Sequence, residues 1–345
     1  MSGNNLLTKT SILCSLVALL SIPQYGIRSQ EFTREISQFI GTNARQFLQP
    51  VADGFMANVN AGMSRVPADS SFRVAVQFVF VGAMMSDEQK TFTSAPFNET
   101  VEFQYNGVQF LGDLEVPSIL LPTAVGMSKS VTFTGHLKRI RPKGLPYVPG
   151  PYDFISRDAT VTMGGSGDIS MIPLFAPQLT VGSLAGTELT IRYLPTISVG
   201  GVGHVGAFGI GIRHDVGRYF LSSIEITAQA NFQSLHMQGT TSGAHFTLDA
   251  SSVGLQLQAD KVFGSGSFKV DPYILFGVES ASSDIGYAFA DPYLGNQSLT
   301  FESGPQTRFA IGAQVRMFLV SISGEYNAAL VNGFGLSAGV VYEFK

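Results

Sequence analysis

Apolar and polar residues alternate with a period of two through most of this chain, and no other feature limits its fold so strongly. In the stretch 223–232, every second position holds Ile, Ala or Phe, and the positions between hold Ser, Glu, Thr, Gln or Asn. Successive side chains of a β-strand point to opposite faces, so such a stretch predicts a strand with one apolar face. The alternation begins at Phe72 and returns at 188–193, 253–258, 269–276, 308–317 and 335–344.

Both a soluble β-sandwich and a transmembrane β-barrel are built from strands of this kind. The stretches here run to about ten residues, which suits a tilted membrane crossing better than the five or six residues usual in soluble sheets. Their polar faces are rich in Gly, Gln and Ser and carry charges of both signs, as a crowded barrel interior would. We therefore predict an all-β, antiparallel, up-and-down transmembrane barrel of about 12 to 14 strands, with 14 preferred, at about 20 residues for a strand and its connection.

The first 29 residues predict a secretory signal peptide. Lys9 supplies positive charge, an apolar run extends from Ile12 to Ile22, and the small Ser29 precedes the expected cleavage point. The single cysteine, Cys14, lies in that run, so the exported chain would carry neither a disulfide nor a cysteine-based metal site. Export of a transmembrane barrel predicts the outer membrane of a Gram-negative bacterium as its location.

Residues 30–62 have helical rather than alternating spacing, and Pro50 predicts that they form two short helices. An apolar helical segment ahead of a barrel suggests a plug or hatch, with the alternative that the helices only pack beneath the barrel. The candidate plug or ligand-lining residues are Phe32, Ile36, Phe39 and Phe47.

The barrel is predicted to occupy residues 63–345. Seven prolines interrupt its pattern in the segment 86–158, which predicts long Pro-rich loops or lumen-filling segments there. At the other end of the chain, Gly339, Tyr342 and Phe344 resemble the terminal Gly-x-x-aromatic-x-aromatic signal of outer-membrane barrels. The partners implied are the barrel-assembly machinery, which reads that signal, and outer-membrane lipid.

The sequence offers no catalytic, cofactor-binding or metal-binding constellation, so we expect neither an enzyme nor a cofactor. Its five histidines are scattered, and a net charge of −4 without a basic block argues against nucleic acid as a partner. The basic residues of 138–143 would either meet lipopolysaccharide phosphates or form a solvated loop. Alternation predicts a lumen carrying charges of both signs, paired with one another, at Arg73, Arg192, Arg213, Glu225, Asp260, Lys269, Asp271, Arg308, Arg316 and Glu325.

Three stretches together resemble an uncharacterised family of outer-membrane barrels found in Bacteroidota and related bacteria. They are 47–54 (FLQPVADG), 117–126 (PSILLPTAVG) and 209–220 (GIGIRHDVGRYF). The chain is also distantly similar to FadL-type long-chain fatty-acid transporters, although it lacks their Asn-Pro-Ala signature. These resemblances imply a barrel that takes up small hydrophobic molecules passively; the alternative is a non-transporting surface scaffold or secretion accessory that binds a protein partner.

Overall fold

The computed structural model of this protein describes residues 30–63, 72–127, 131–149, 158–163, 168–199, 203–220, 224–241, 244–289 and 296–344. The predicted signal peptide, with Cys14, lies outside these residues. One α-helix, α1 (Gln30–Asn60), precedes the described strands, which begin at Arg73 and end at Glu343. Among the described residues, no helix is both long and apolar enough to cross a bilayer.

Ten strands form a closed antiparallel barrel in which each pairs with two neighbours. The first strand closes onto the last in a register that runs from Arg73↔Glu343 to Ala83↔Gly333. The barrel strands are β1 (Arg73–Met84), β8 (Met171–Leu184), β9 (Thr187–Val199), β10 (Gly203–Asp215), β11 (Glu225–Thr241), β12 (Ala244–Asp260), β14 (Phe268–Phe289), β15 (Asn296–Met317), β16 (Val320–Ala328) and β17 (Gly333–Glu343). A short additional strand, β13 (Phe263–Ser265), pairs with the start of β14.

The all-β antiparallel barrel is confirmed, but the predicted 12 to 14 strands, with 14 preferred, is wrong. Two features of the chain explain the difference. Strands β11 and β12 have 17 residues each, and β14 and β15 have 22 each, so they use more of the chain than the prediction assumed. In addition, the segment between β1 and β8 does not enter the barrel wall.

That segment forms a cap over one end of the barrel, where the sequence predicted long loops. Its chain makes a two-stranded sheet from β2 (Thr91–Thr93) and β5 (Leu120–Pro122). A four-stranded sheet follows in the order β3-β4-β6-β7, from β3 (Phe97–Tyr105), β4 (Val108–Val116), β6 (Val131–Pro142) and β7 (Asp158–Met163). We call this end the cap end, and the opposite end, with its short connections such as Ala185-Gly186, the turn end.

The two faces of the tall strands exchange character about halfway along their length. On β12, Val253, Leu255 and Leu257 point outward and are more than half exposed, whereas their inward neighbours Gln256 and Gln258 are buried. Nearer the cap end, the inward side chains of the tall strands become apolar and buried and their outward side chains become polar. The buried apolar set there is Leu235, Met237, Phe246, Leu248, Ala250, Ala281, Ile285 and Phe301.

The exposed apolar residues of the turn-end half form a belt of membrane-spanning height. On β14 the outward apolar positions run from Phe268 to Val278. At about 3.3 Å per residue and a tilt of about 45°, these residues span about 23 Å, close to the apolar band of about 25 Å on outer-membrane barrels. Exposed rings at the turn end add an aromatic rim to this belt: Tyr219, Phe220, Phe263, Phe318 and Phe344.

The helix α1 is continuous through Pro50, so the predicted division into two short helices is wrong. A proline inside a helix carries no N–H and therefore leaves one carbonyl without its usual donor. That carbonyl belongs to Gln46, four residues before Pro50. The next carbonyl along the helix, that of Phe47, accepts a hydrogen bond of 3.0 Å from the backbone N–H of Ala124 in the cap. The cap thus contacts the backbone of α1 within one turn of the proline.

Candidate functional site

The candidate functional site is the barrel interior together with α1, which enters it from the cap end. The helix descends past the mouth of the barrel, where Asn58 donates a hydrogen bond of 2.7 Å to the carbonyl of Ile172 at the start of β8. Beyond the helix, Ala61 to Met63 lie among the inward side chains of the wall. The described chain resumes at Phe72, beside β1 at the turn end.

At the cap end, α1 is buried between the cap and the tall strands in one hydrophobic core. Phe39 packs edge-on against Phe97 of the cap, with ring centroids 5.9 Å apart. Phe47 and Ala52 have no exposed surface. The same core includes cap residues such as Val101 and tall-strand residues, so cap, helix and wall share one interior.

Two of the four predicted plug residues therefore have a described position. Phe39 and Phe47 are buried at 1% and 0% exposure. Phe32 and Ile36 belong to α1, but their side chains lie outside the described part of the structure. Whether any of the four lines a ligand site stays a prediction.

Sequence reasoning missed two asparagines that hold the helix in place. Asn43 accepts a hydrogen bond of 2.9 Å from the backbone N–H of Ala95 in the cap, and Asn58 bonds the wall as described above. Both are only 1% exposed. Because buried amides need partners, an asparagine one helical turn from Phe47 was a readable sign that this face of α1 meets another backbone.

In the middle of the barrel, polar side chains grip the chain just after α1. Arg192 donates hydrogen bonds to the carbonyl of Ala61 at 3.0 Å and to Gln233 and Gln178 at 2.8 and 3.1 Å. Glu325 accepts from the N–H of Gly62 at 3.1 Å and from the hydroxyl of Tyr273 at 3.0 Å. The wall therefore satisfies backbone groups that would otherwise be buried without a partner.

Gly62 allows this close approach. Its φ of +72° lies in the left-handed region, and a Cβ at this position would come within 2.9 to 3.0 Å of Val81 and Val79. A glycine pays no Cβ penalty in that conformation. It therefore lets the chain turn from the helix into the crowded lumen.

From the middle of the barrel to the turn end, ion pairs fill the lumen. Glu188 pairs with both Arg73 and Arg213, and Arg308 lies 3.5 Å from Glu325 and 3.6 Å from Glu279. The buried inward side chains described include five arginines (73, 192, 213, 308 and 316) and five carboxylates (188, 260, 271, 279 and 325). Charges of neither sign therefore dominate the lumen, whereas an ion-selective pore would require one sign to dominate.

The burial of these charges shows that water does not fill the described lumen at their level. Arg73 has no exposed surface, and Arg192 and Arg308 are 2% and 3% exposed. Side chains on the wall of an open aqueous channel would be hydrated and exposed. The side chains of an eight-stranded barrel just fill its interior, whereas a 16-stranded porin leaves an aqueous channel. The barrel of this protein has ten strands and holds an additional chain segment inside, which occupies the space that the two extra strands provide.

Eight of the ten predicted lumenal charges are buried inside the wall, and Glu225 and Lys269 are half-buried. The basic residues of 138–143, by contrast, belong mostly to strand β6 of the cap. Lys138 pairs with Glu115, Arg139 and Arg141 with Asp113, and Lys143 with Glu102. Each cation thus has an acidic partner on a neighbouring strand, and these ion pairs link the strands of the cap. Because the charges are paired, the cluster presents little net charge to a phosphate.

Lys90 attaches the cap to the barrel wall. Its ammonium group pairs with Asp168, just before β8, at 2.7 Å and with Asp87 at 2.9 Å. The hydrogen bonds to Asp168 and Asp87 raise the pKa of Lys90. The ammonium form is thus favoured where the cap rejoins the wall.

Among the described residues, no group of three or more His, Asp or Glu side chains is placed to hold a metal ion. His214, for example, is engaged by the hydroxyls of Thr187 at 2.8 Å and Tyr219 at 3.1 Å.

The predicted assembly residues lie on β17: Tyr342 and Phe344 point outward into the aromatic rim, and Gly339 faces β1 opposite Gln77. Their role in assembly stays a prediction.

A family profile with the description "Family of unknown function (DUF6588)" matches residues 7–344 of this chain. No curated protein matches it. Among solved structures, the β domain of the Bordetella autotransporter BrkA is 12% identical, with 80% of this chain and all of that chain covered and a TM-score of 0.34. The outer membrane protease OmpT from Escherichia coli is 8% identical, with 82% and 100% covered and a TM-score of 0.33.

The translocator domain of the autotransporter NalP from Neisseria meningitidis is 11% identical, with 88% of this chain and 98% of that chain covered and a TM-score of 0.26. Scores this low carry no argument about activity.

The closed barrel and its exposed apolar belt are the evidence for a location in a membrane. A bilayer requires strands that are paired on both sides and an apolar exterior, and this barrel has both. The protein is an outer-membrane β-barrel, as the sequence predicts.

Proposed function

Because the chain belongs to the family of unknown function DUF6588, whose description names no activity, we propose its function from the structure: a closed membrane anchor that displays a folded cap to a protein partner. The resemblance to a family without an assigned activity is thereby confirmed. The Bacteroidota range and the distant likeness to FadL-type transporters stay predictions, as does the absence of enzymatic activity.

The shared hydrophobic core carries this proposal. The buried face of α1 contacts the cap and the wall together, through Phe97 on one side and residues such as Leu248 and Ile285 on the other. Moving α1 out of the barrel would expose this core and break the hydrogen bonds of Asn43 and Asn58. A helix held in this way serves as a fixed strut better than as a gate.

The cap also carries apolar surface that the membrane does not explain. Leu145, Tyr147 and Val148, in the turn after β6, are 58%, 37% and 56% exposed. Clustered exposed apolar residues outside a membrane belt are typical of protein interaction sites. Since outer-membrane barrels keep short turns on the periplasmic side and longer loops outside, we place the cap at the cell surface.

Site-specific photo-crosslinking tests this function. A photoreactive residue at Tyr147 should give one discrete adduct in cells, and the same residue at Phe268, in the lipid-facing belt, serves as the control. Replacing Leu145 and Val148 with Ser should abolish the adduct while the barrel still folds. An absence of any adduct at Tyr147, or an adduct that survives both replacements, would count against the anchor function.

Passive uptake of small hydrophobic molecules is the second candidate function. It is favoured by one observation: α1 is a separate element inside the lumen, and its C-terminal connection is held there through a few hydrogen bonds to Arg192, Glu325 and Gln229. Uptake would require these bonds to open. Conductance across a bilayer distinguishes the two candidates, because only a gated channel has an open state.

A further inference from the structure

Two carboxylates face each other across neighbouring strands at the turn end of the lumen. Glu225, the first residue of β11, pairs in register with Asp260, the last residue of β12. Their carboxylates lie within hydrogen-bonding distance of each other, and Asp260 is only 3% exposed. Ionised carboxylates can only accept hydrogen bonds, and like charges directly opposite each other on a sheet are destabilising. The pair therefore requires a positive charge between its members.

Two neutral side chains lie beside this pair. Thr227 and Gln258 occupy the next inward positions of the same two strands and pair with each other in register. The amide nitrogen of Gln258 donates a hydrogen bond of 3.1 Å to Oδ1 of Asp260, so the amide group lies against the carboxylate. Both side chains are buried, with Thr227 1% and Gln258 4% exposed. A hydroxyl and an amide thus extend the pair to a cluster of four side chains.

Each of these four side chains has one buried oxygen without a hydrogen-bond partner among the described residues. The oxygens are Oε2 of Glu225, Oδ2 of Asp260, Oε1 of Gln258 and Oγ1 of Thr227. Buried polar atoms normally have a partner, and a group of them without one calls for an explanation. Carboxylate, amide and hydroxyl oxygens share the ability to coordinate a hard cation. A single bound cation would satisfy all four oxygens at once.

The charges around the cluster also favour a cation. Arg213 lies within electrostatic reach of both Glu225 and Asp260, but its guanidinium group is bound to another carboxylate. Its Nε donates a hydrogen bond of 3.0 Å to Glu188, and its Nη2 donates to the same carboxylate oxygen. Asp215 adds a further negative charge within reach of Glu225. The electrostatic field at the four oxygens therefore attracts positive charge.

From this arrangement we propose a calcium-binding site inside the barrel, formed by Glu225, Asp260, Gln258 and Thr227. A set of oxygen ligands without nitrogen or sulfur selects a hard cation, and side chains on two strands suit the adaptable geometry of Ca²⁺ better than the strict octahedron of Mg²⁺. Two of the ligands are acidic and two are neutral, which agrees with the absence of a larger acidic group among the described residues. Glu225 is half-buried, so the ion enters from the turn end. This site is independent of the anchor function and of any opening of the lumen.

Removing the two charges tests the acidic ligands. Glu225→Gln with Asp260→Asn keeps the side-chain shapes and relieves the repulsion, so this variant should fold. Asp249→Asn with Asp284→Asn is the matched control, because these carboxylates also pair in register but are exposed. Calorimetric titration of the detergent-purified barrel with Ca²⁺ should give one ion per barrel for the wild type and the control. Binding by the first variant should be at least about tenfold weaker; equal binding by all three proteins would overturn the proposal.

Removing the neutral oxygens distinguishes a built site from simple attraction between charges. Thr227→Val with Gln258→Met keeps similar side-chain volumes and leaves both carboxylates in place. The variant should bind Ca²⁺ about tenfold more weakly than the wild type, while a heat-modifiability gel shows that the barrel has folded. Unchanged Ca²⁺ binding by this folded variant would overturn the assignment of four ligands.

Thermal unfolding supplies a second readout. A ligand that binds only the folded state stabilises it, so Ca²⁺ should raise the Tm of the wild type and a chelator should reverse the increase. The variant Glu225→Gln with Asp260→Asn should not respond to either. A wild type that binds no Ca²⁺ and keeps the same Tm with chelator would show that the two carboxyls share a proton, and it would overturn the calcium site.

Discussion

Glu188 shows how much of the lumen depends on single buried charges. Its carboxylate is 3% exposed and lies between Arg73 and Arg213, both of them buried. Exposed ion pairs contribute little because water solvates their members separately, whereas removing one partner of a buried pair leaves an uncompensated charge. The burial of an ion pair therefore affects the stability of the barrel more than the number of ion pairs does.

We expect Glu188→Gln to destabilise the barrel by about 3–5 kcal/mol, because two buried guanidinium groups lose their shared carboxylate. Urea unfolding in detergent micelles measures the change. Glu115→Gln in the cap is the matched control: its pair with Lys138 is exposed, and the expected loss is about 0–1 kcal/mol. Equal losses for both variants would show that the lumenal pairs contribute no more than surface pairs.

Gly339 lies where the last strand closes onto the first. A Cβ there would come within 2.1 Å of the carbonyl oxygen of Val76 and 2.6 Å of the Cα of Gln77. Gly339→Ala should therefore push β17 from β1 and cost about 1–3 kcal/mol. The fraction of heat-modifiable, folded barrel on a gel reports closure. Gly304→Ala, where nothing lies within 4 Å, should assemble normally; similar yields would contradict this role.

At the scale of single elements, the sequence predicted the two faces of individual strands, such as β9, β11 and β12, better than it predicted the number of strands in the barrel. Alternation alone identified the inward charges of β1, β9 and β10, since one apolar face suffices for that assignment. It did not reveal that the tall strands leave the bilayer partway, because the alternation continues while the two faces exchange roles near Ser252 and Ser283. Without that change visible, a constant strand length gave too many strands.

The helix was harder still to predict because its partners are distant in sequence. Pro50 favours a break, whereas the observed α1 is continuous and makes hydrogen bonds to Ala124 of the cap and Ile172 of the wall, both far away in sequence. The strands of the cap were hard to predict because of prolines, and those among the described residues lie at strand ends and in connections such as 117–122. Local sequence could not supply these long-range contacts.

Asp53 on α1 makes the stability of the folded protein dependent on pH. Burial raises the pKa of its carboxyl above the ordinary 3.8, although a hydrogen bond from Gln49 at 2.7 Å opposes this. Between the ordinary and the raised pKa, the folded state binds more protons than the unfolded state, so stability falls as pH rises through that window. Above the raised pKa, the full cost of the buried charge remains.

Asp53→Asn should therefore be more stable than the wild type at neutral pH, and the difference should shrink below the ordinary pKa. Urea midpoints at about pH 3 and about pH 7 measure this difference. The exposed Glu88→Gln controls for the loss of one negative charge. A constant difference between Asp53→Asn and the wild type at both pH values would contradict the assignment.

At the scale of the whole molecule, the two halves of the protein are suited to two different surroundings, the lipid bilayer and water. The turn-end half is a membrane barrel, apolar outside and charged inside, and the cap-end half has the reverse arrangement around α1. The helix joins the halves because its buried face belongs to both. The lumen of the turn-end half is therefore occupied by ion pairs, and the interior of the cap-end half by apolar core packing.

The central claim, that α1 is a fixed strut in a closed barrel, is tested most directly by conductance with the helix locked and unlocked. A Cβ on Gly54 would lie 3.4 Å from Cγ1 of Ile172, so a cysteine pair at 54 and 172 can form a disulfide, in a chain whose single natural cysteine lies in the predicted signal peptide. We expect the pair to be silent in planar bilayers both oxidised and reduced, like the wild type. Discrete conductance steps that appear on reduction and vanish on oxidation would show that α1 is a gate and that the barrel is a channel.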